Sequence, residues 1–243
     1  MQRSALRLFK VAGIQVYLHY AWFIVAAWEA MQLARRYDSP IWGLFECLSL
    51  FLIVLLHEFG HAFACRQVGG QADHIILWPL GGIAFVNPPP RPGAYLWSLA
   101  AGPLVNVALF PIFSFLLFIA SNARWNLSDP DLFKFIAALG YMNTVLLIFN
   151  LLPVYPLDGG QIVRALLWFF IGPVRSLKVA SVIGIGGAIV FALIAYQAGS
   201  FYLGILAFFV FVQAQAGWRQ AQALTREAEA RARVTPPPVP PAP

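Results

Sequence analysis

The stretch "LIVLLHEFGHAFA" sets two histidines and a glutamate, His57, Glu58 and His61, in an otherwise apolar run. On a helix His57 and His61 lie one turn apart, so both imidazoles project from one face and can grip a single ion. Glu58 is rotated from His57 by about 100°. It is badly placed as a further ligand but can reach a water held by that ion, as a general base must. An ionisable group at the centre of a spanning helix costs roughly 2.5 to 3.5 kcal/mol on insertion scales, and a bound cation is the simplest compensation. The whole chain holds four histidines. Two of them at ligand spacing inside one apolar helix point to a metal site rather than to core packing.

A catalytic zinc site takes three protein ligands and a water, so a third ligand must come from elsewhere in the chain. The acidic residues in apolar segments are Glu29, Glu46, Glu58 and Asp158. Cys65 continues the row of His57 and His61 but lies ~12 Å along the axis from His57, too far to share its ion. Asp158 is the better partner. It follows Pro153 and Pro156 in "NLLPVYPLDGGQ", where the prolines end a helix and free the backbone to turn a carboxylate inward. Glu29 and Glu46 read as structural carboxylates, His19 and His74 as interface residues, and Cys65 as a small core residue.

These residues need helices to hold them. The chain has 243 residues, 60% hydrophobic and 11% charged, with a mean hydropathy of +0.72, which describes a multi-pass membrane protein. Six spans are expected, near 19–36, 41–66, 94–121, 132–152, 174–197 and 200–219. A further apolar piece, "GGQIVRALLWFF" at 159–170, is too short to span and is expected to continue the fourth element. The segment 1–18 alternates charged and apolar residues and lacks a signal-peptide core, so the first span is expected to target the protein. Residues 19–222 form the intramembrane domain. The charged, then proline-rich stretch 223–243 is expected to be a disordered tail.

Even topology puts 12 of the 16 basic residues on one side, so both termini are expected in the cytoplasm of an inner-membrane protein. The net charge of +6 therefore reads as topology, not as nucleic-acid binding. The second and fourth spans then run in the same sense and bring His57, His61 and Asp158 to similar depth near the cytoplasmic face. Cys47 and Cys65, about 27 Å apart along one helix, imply no disulfide.

Between the second and third spans, "HIILWPLGGIAFV" suits either two short strands about Gly81 and Gly82, a re-entrant hairpin in protein-lined space, or an ordinary apolar loop resting at the interface. The fold class is thus an all-α polytopic membrane protein with one short β-hairpin. In "AAGPLVN", Ala100, Ala101 and Gly102 permit close helix approach, with Asn106 one turn on. Asn106 is expected either to support a substrate carbonyl or to bridge two helices. The glycines at 184, 186 and 187 read as helix packing.

"HEFGH" in a span, "PLGGIA" before "AAGPLVN", and then "NLLPVYPLDGG" resemble the ordered signatures of the site-2 protease family of intramembrane zinc metalloproteases. "GIQVYLHYAWFIV" resembles the entry segment of the branch that includes the sporulation-factor processing proteases. The resemblance covers residues 10 to 220. It implies one catalytic zinc held by His57, His61 and Asp158, with Glu58 as general base and acid for hydrolysis of a peptide bond. It also implies that the hairpin at Gly81 and Gly82 offers an edge to an unwound substrate strand, and that Asn106 and Asn150 lie near the site. The expected partners are membrane-spanning protein substrates and the lipid bilayer, with self-association left open. No stretch is large enough for a PDZ domain, and no paired nucleotide-sensing module follows the last span, so regulation by either is not expected. The rival readings are a catalytically silent relative that binds membrane proteins and a metal-ion transporter.

Overall fold

The computed structural model describes residues 5–24, 26, 36–78 and 81–234. The chain divides into two compact units, residues 1–152 and 153–243. In the first, two strands come before any described long helix: β1 (Ala5–Val11) and β2 (Ile14–His19). They form a hairpin in which Val11 pairs with Ile14 across a two-residue turn. Both turn residues, Ala12 (φ 47°) and Gly13 (φ 80°), take the positive φ that such tight turns require.

The helix α1 (Pro40–Gln67) follows, then β3 (Gln71–Trp78) and β4 (Gly81–Asn87). β3 and β4 pair antiparallel, and β2 pairs parallel with β3, so the sheet has four strands in the order β1-β2-β3-β4. The expected hairpin is thus half of a larger sheet. Its glycines are not the turn, because Trp78 pairs with Gly81 and both glycines begin β4; residues 79 and 80 lie outside those described. The other half comes from the segment 1–18, in which Ile14, Val16 and Leu18 recur at the strand period of two.

One face of the sheet carries Ile14, Val16, Leu18, Ala72, Ile75 and Leu77, which pack with Leu55, Phe59 and Ala62 of α1 into a single apolar cluster. Arg66, in the last turn of α1, ties the assembly together by donating to the Ala12 carbonyl at the hairpin turn and, through Nε at 3.0 Å, to the Ala72 carbonyl. Hydrogen bonds from a charged donor contribute about 1.5 to 3 kcal/mol. Arg66→Ala is therefore expected to loosen the N-terminal hairpin by about that amount and to speed tryptic cutting after Arg7 and Lys10 in detergent-solubilised protein. An unchanged cutting rate would show that the apolar cluster alone holds the hairpin.

The unit is completed by α2 (Pro92–Asn122), the short α3 (Trp125–Ser128) and α4 (Pro130–Leu151). Helices α1, α2 and α4 each begin with Pro at the first or second helical position, where its fixed φ is favourable and its missing N–H costs nothing. At the start of α1 two carboxylates secure the incoming chain. Glu46 accepts from Arg36 Nη1 at 3.0 Å and from the Tyr37 hydroxyl, while Asp131 accepts from the backbone of Asp38 and Ser39 at 3.0 Å. Burial and then the Glu46 carboxylate push the Tyr37 phenol above its ordinary pKa. Glu46, read from the sequence as structural, is thus engaged by Arg36 and Tyr37; Glu29 lies outside the described residues.

The second unit contains α5 (Asp158–Gln197) and α6 (Phe201–Val234), which pack together. α5 is two helical pieces joined at Gly172, whose φ of 79° and ψ of 170° break the helix. The piece at 159–170 therefore adjoins the fifth expected span across this kink. It does not continue the fourth, because residues 152–157 are not helical. α6 runs to Val234, so the charged stretch assigned to the tail is helical to that point; residues 235–243 lie outside those described.

Five helices among the described residues are long and apolar enough to cross a membrane. They correspond to the second to sixth expected spans, and most of the first, 19–36, lies outside the described residues. The protein is a multi-pass membrane protein, and its many exposed large apolar side chains along these helices are what a lipid-facing surface requires.

Candidate metal centre

The three faces of α1 follow from its turn of about 100° per residue. Leu55, Phe59 and Ala62 turn to the sheet, while Glu58 lies at the margin of that face and His57 and His61 turn to α2. All three polar side chains are buried, with exposures of 3%, 6% and 6% for His57, Glu58 and His61. Their partners keep them from being stranded. His61 Nδ1 lies 2.8 Å from the Ser98 carbonyl, and His57 Nδ1 lies 2.6 Å from Asn106 Oδ1. The two Nε2 atoms are 3.1 Å apart.

Small residues make this approach possible. A Cβ on Gly60 would stand 2.6 Å from the Ala101 carbonyl oxygen, so α1 and α2 meet where neither can carry more bulk. A Cβ on Gly102 would stand 2.2 Å from His61 Nε2 and 2.8 Å from His57 Nε2. The close approach read from "AAGPLVN" is therefore the wall of the histidine site. This arrangement fits a metal. A carbonyl only accepts, so His61 Nδ1 carries the hydrogen and its Nε2 presents a lone pair beside the second imidazole, under a helix surface bare of side chain. With a carboxylate, two such histidines make the donor set of a hydrolytic zinc site.

Glu58 is placed by the sheet. Its Oε2 accepts from the Ala84 backbone N–H of the edge strand β4 at 2.8 Å. A Cβ on Gly82 would stand 2.2 Å from Glu58 Cγ, so a glycine is required for the carboxylate to lie against this edge. Gly82 is thus brought to Glu58, while a Cβ on Gly81 would meet nothing within 4 Å.

Asn106 is fully buried and its amide is engaged: Oδ1 with His57, Nδ2 donating to Asn143 Oδ1 at 2.8 Å. Of the two roles read for it, bridging helices is the one its hydrogen bonds perform, and it holds a histidine as well. Asn143 on α4, also fully buried, was missed, along with the Ser98 carbonyl. A lone Asn in "GYMNTV" carries no signal until α4 is placed beside α2, and a backbone carbonyl carries none in any sequence. Asn150 is half-buried in the last turn of α4. Cys65 is a packing residue whose thiol lies 3.4 Å from the Gln71 carbonyl oxygen. His19 and His74 face aromatic rings on the sheet, Trp78 and Phe85 respectively.

In the second unit Asp158 is the first residue of α5, half-buried. The glycines around it explain the "LDGG" run. A Cβ on Gly160 would stand 2.2 Å from the Tyr155 backbone nitrogen, so the turn at 153–157 folds tightly onto the first turn of α5. Val154 and Tyr155 in turn lie against Gly184 and Gly187. The glycines read as helix-packing residues accommodate this turn, with Gly184 also against Ala214 of α6, while Gly186 faces open space.

Comparison with known proteins yields one family. The profile of Peptidase family M50 matches residues 45–124 and 123–194. Zinc metalloprotease MJ0392 of Methanocaldococcus jannaschii is 32% identical over 237 residues, which cover 97% of this chain and 67% of that protein. Stage IV sporulation protein FB of Bacillus subtilis is 31% identical over 121 residues, 47% of this chain and 38% of that protein. A solved site-2 protease from Methanocaldococcus jannaschii superposes with a TM-score of 0.62 at 31% identity, covering 88% of this chain and 95% of that one.

Proposed function

The chain belongs to peptidase family M50, the site-2 proteases, a family of membrane metalloproteases, and we propose that it hydrolyses peptide bonds within or beside membrane-spanning segments of other proteins. In this reading His57, His61 and Asp158 hold one zinc ion and Glu58 is the general base and acid. The observation that carries it is the buried pair of imidazole Nε2 atoms 3.1 Å apart, with a buried carboxylate on the next residue. Supporting Asp158 are its position at the head of a helix behind a tight turn and the His-His-carboxylate chemistry of hydrolytic zinc.

Bound zinc supplies an activated water near neutral pH and polarises the carbonyl under attack. The chain's residues do the rest. Glu58, held at Oε2 by the Ala84 N–H, takes a proton from the attacking water and returns it to the leaving amine. β4 is an edge strand, and pairing of an unwound substrate strand along it at Gly81 and Gly82 would bring the scissile bond to Glu58. A helical peptide shields its own carbonyls, so substrates are expected to carry helix-weakening residues at the cut. The family resemblance is what supports a place for Asn150 near this region. The bias of 12 basic residues against 4 supports an inner-membrane orientation with termini and site toward the cytoplasm.

The test is metal dependence. Purified protein is expected to hold about one zinc per chain and to lose both metal and cleavage of a reconstituted single-span substrate on chelation, with zinc restoring both. Asp158→Asn is expected to lower zinc affinity as His57→Ala does. Zinc content indifferent to all three ligand substitutions, His57→Ala, His61→Ala and Asp158→Asn, would sink the reading.

A further inference from the structure

The tautomer of His57 decides whether the histidine pair can take a metal at all. With hydrogen on Nδ1, Nε2 presents a lone pair. With hydrogen on Nε2, that N–H would donate to His61 Nε2, 3.1 Å away, and close the pair on itself. Three helices settle the choice. The Asn106 backbone carbonyl only accepts, so the Asn143 amide atom 3.0 Å from it is the nitrogen. The Asn143 oxygen is then the atom 2.8 Å from the Asn106 side chain, which must turn its own NH2 toward it. This leaves Asn106 Oδ1 facing His57 Nδ1, so Nδ1 carries the hydrogen.

We propose that Asn143 is a positioning residue for the metal centre: by clamping both the side chain and the backbone of Asn106, it holds His57 in the tautomer that leaves Nε2 open to metal. The inference rests on the metal reading above. Asn106 and Asn143 are both fully buried, so in the intact protein bulk water does not compete for either bond. Without Asn143, nothing fixes which end of the Asn106 amide faces His57. A turned-over amide offers an NH2 to Nδ1, drives the hydrogen to Nε2 and costs the site a ligand. Outer partners of this kind commonly change metal affinity 10- to 100-fold.

The experiment uses full-length protein in detergent and cobalt as the metal probe, with affinity measured by competition against a chelator and ligation followed by the visible absorption of bound cobalt. Asn143→Ala is expected to bind cobalt on the order of 10- to 100-fold more weakly. In ¹⁵N-histidine spectra of the metal-free protein, it should shift one of the four imidazoles toward the Nε2–H form. Asn106→Asp, placed in the Asn143→Ala background, is expected to restore binding, since a carboxylate accepts from Nδ1 whichever way it turns. That rescue separates positioning from packing, because a carboxylate does not refill the space left by Asn143. If Asn143→Ala does not fold, Asn143→Leu fills the volume without hydrogen bonds and takes its place. Wild-type affinity in the folded single variant, or weakened affinity that Asn106→Asp fails to rescue, overturns the inference alone. Wild type that binds no cobalt overturns the metal reading and the inference with it.

Discussion

Glu58→Gln is expected to slow peptide-bond hydrolysis by about 10²- to 10⁴-fold, the range contributed by a positioned general acid–base, with zinc content unchanged. The geometry makes this a clean substitution. The Gln side chain has the same length, and its carbonyl oxygen can still accept from the Ala84 N–H that now holds Glu58 Oε2 at 2.8 Å. His57 and His61 are held through their Nδ1 atoms by α2 and do not depend on residue 58 for orientation. What is lost is the capacity to take a proton and give it back. The measurement is twofold: cleavage of a reconstituted substrate by purified enzyme, and recovery of membrane proteins with the variant expressed in its native membrane. The variant should accumulate intact single-span partners that wild type converts to fragments. Equal cleavage by both forms would remove Glu58 from the chemistry, and equal retention of uncut partners would favour a silent binder over a protease.

Gly102→Ala is expected to abolish metal binding more completely than removal of any outer hydrogen bond, weakening zinc by at least the roughly 100-fold upper range of such changes. The added Cβ would stand 2.2 Å from His61 Nε2 and 2.4 Å from its Cε1, inside any real contact distance. Neither partner can yield cheaply. The imidazole is fixed by the Ser98 carbonyl, and α2 is held against α1 where Gly60 meets the Ala101 carbonyl. Relief comes by turning the ring out of the site or prising the helices apart, and such overpacking typically costs about 1 to 3 kcal/mol. Zinc affinity and thermal stability of the purified variant check this. Gly186→Ala is the control, since that position faces open space and should leave both unchanged. Normal zinc binding by Gly102→Ala would mean that the histidines take another rotamer in the working enzyme.

Much of the fold was legible because hydrophobic length and proline are local signals. The expected span at 41–66 became Pro40–Gln67, and that at 94–121 became Pro92–Asn122, each lengthened at its start to the proline that opens the helix and by a single residue at its end. The N-terminal strands drew no strand reading, for a physical reason. Ile14, Val16 and Leu18 recur at every second residue as in a strand, but a strand needs a partner, and the partner of β2 is β3, more than fifty residues on. Likewise the helical piece at 159–170 carries no mark of which neighbour it joins; the non-helical residues 152–157 part it from the fourth span.

The sequence by itself determined the chemistry of the centre. Two histidines four apart with a glutamate beside the first can present only certain faces on a helix, and the apolar run around them makes an unligated site costly. Tertiary structure alone decided how those groups are held. The glycine that makes room at the two Nε2 atoms lies on α2, the amide that sets the His57 tautomer is itself set from α4, and the N–H that steadies Glu58 belongs to a strand edge. The two histidines proposed as ligands are marked by side chains at short spacing. Tautomer, rotamer and clearance depend on atoms brought within 3 Å of one another from segments far apart in the chain, and no local pattern records them.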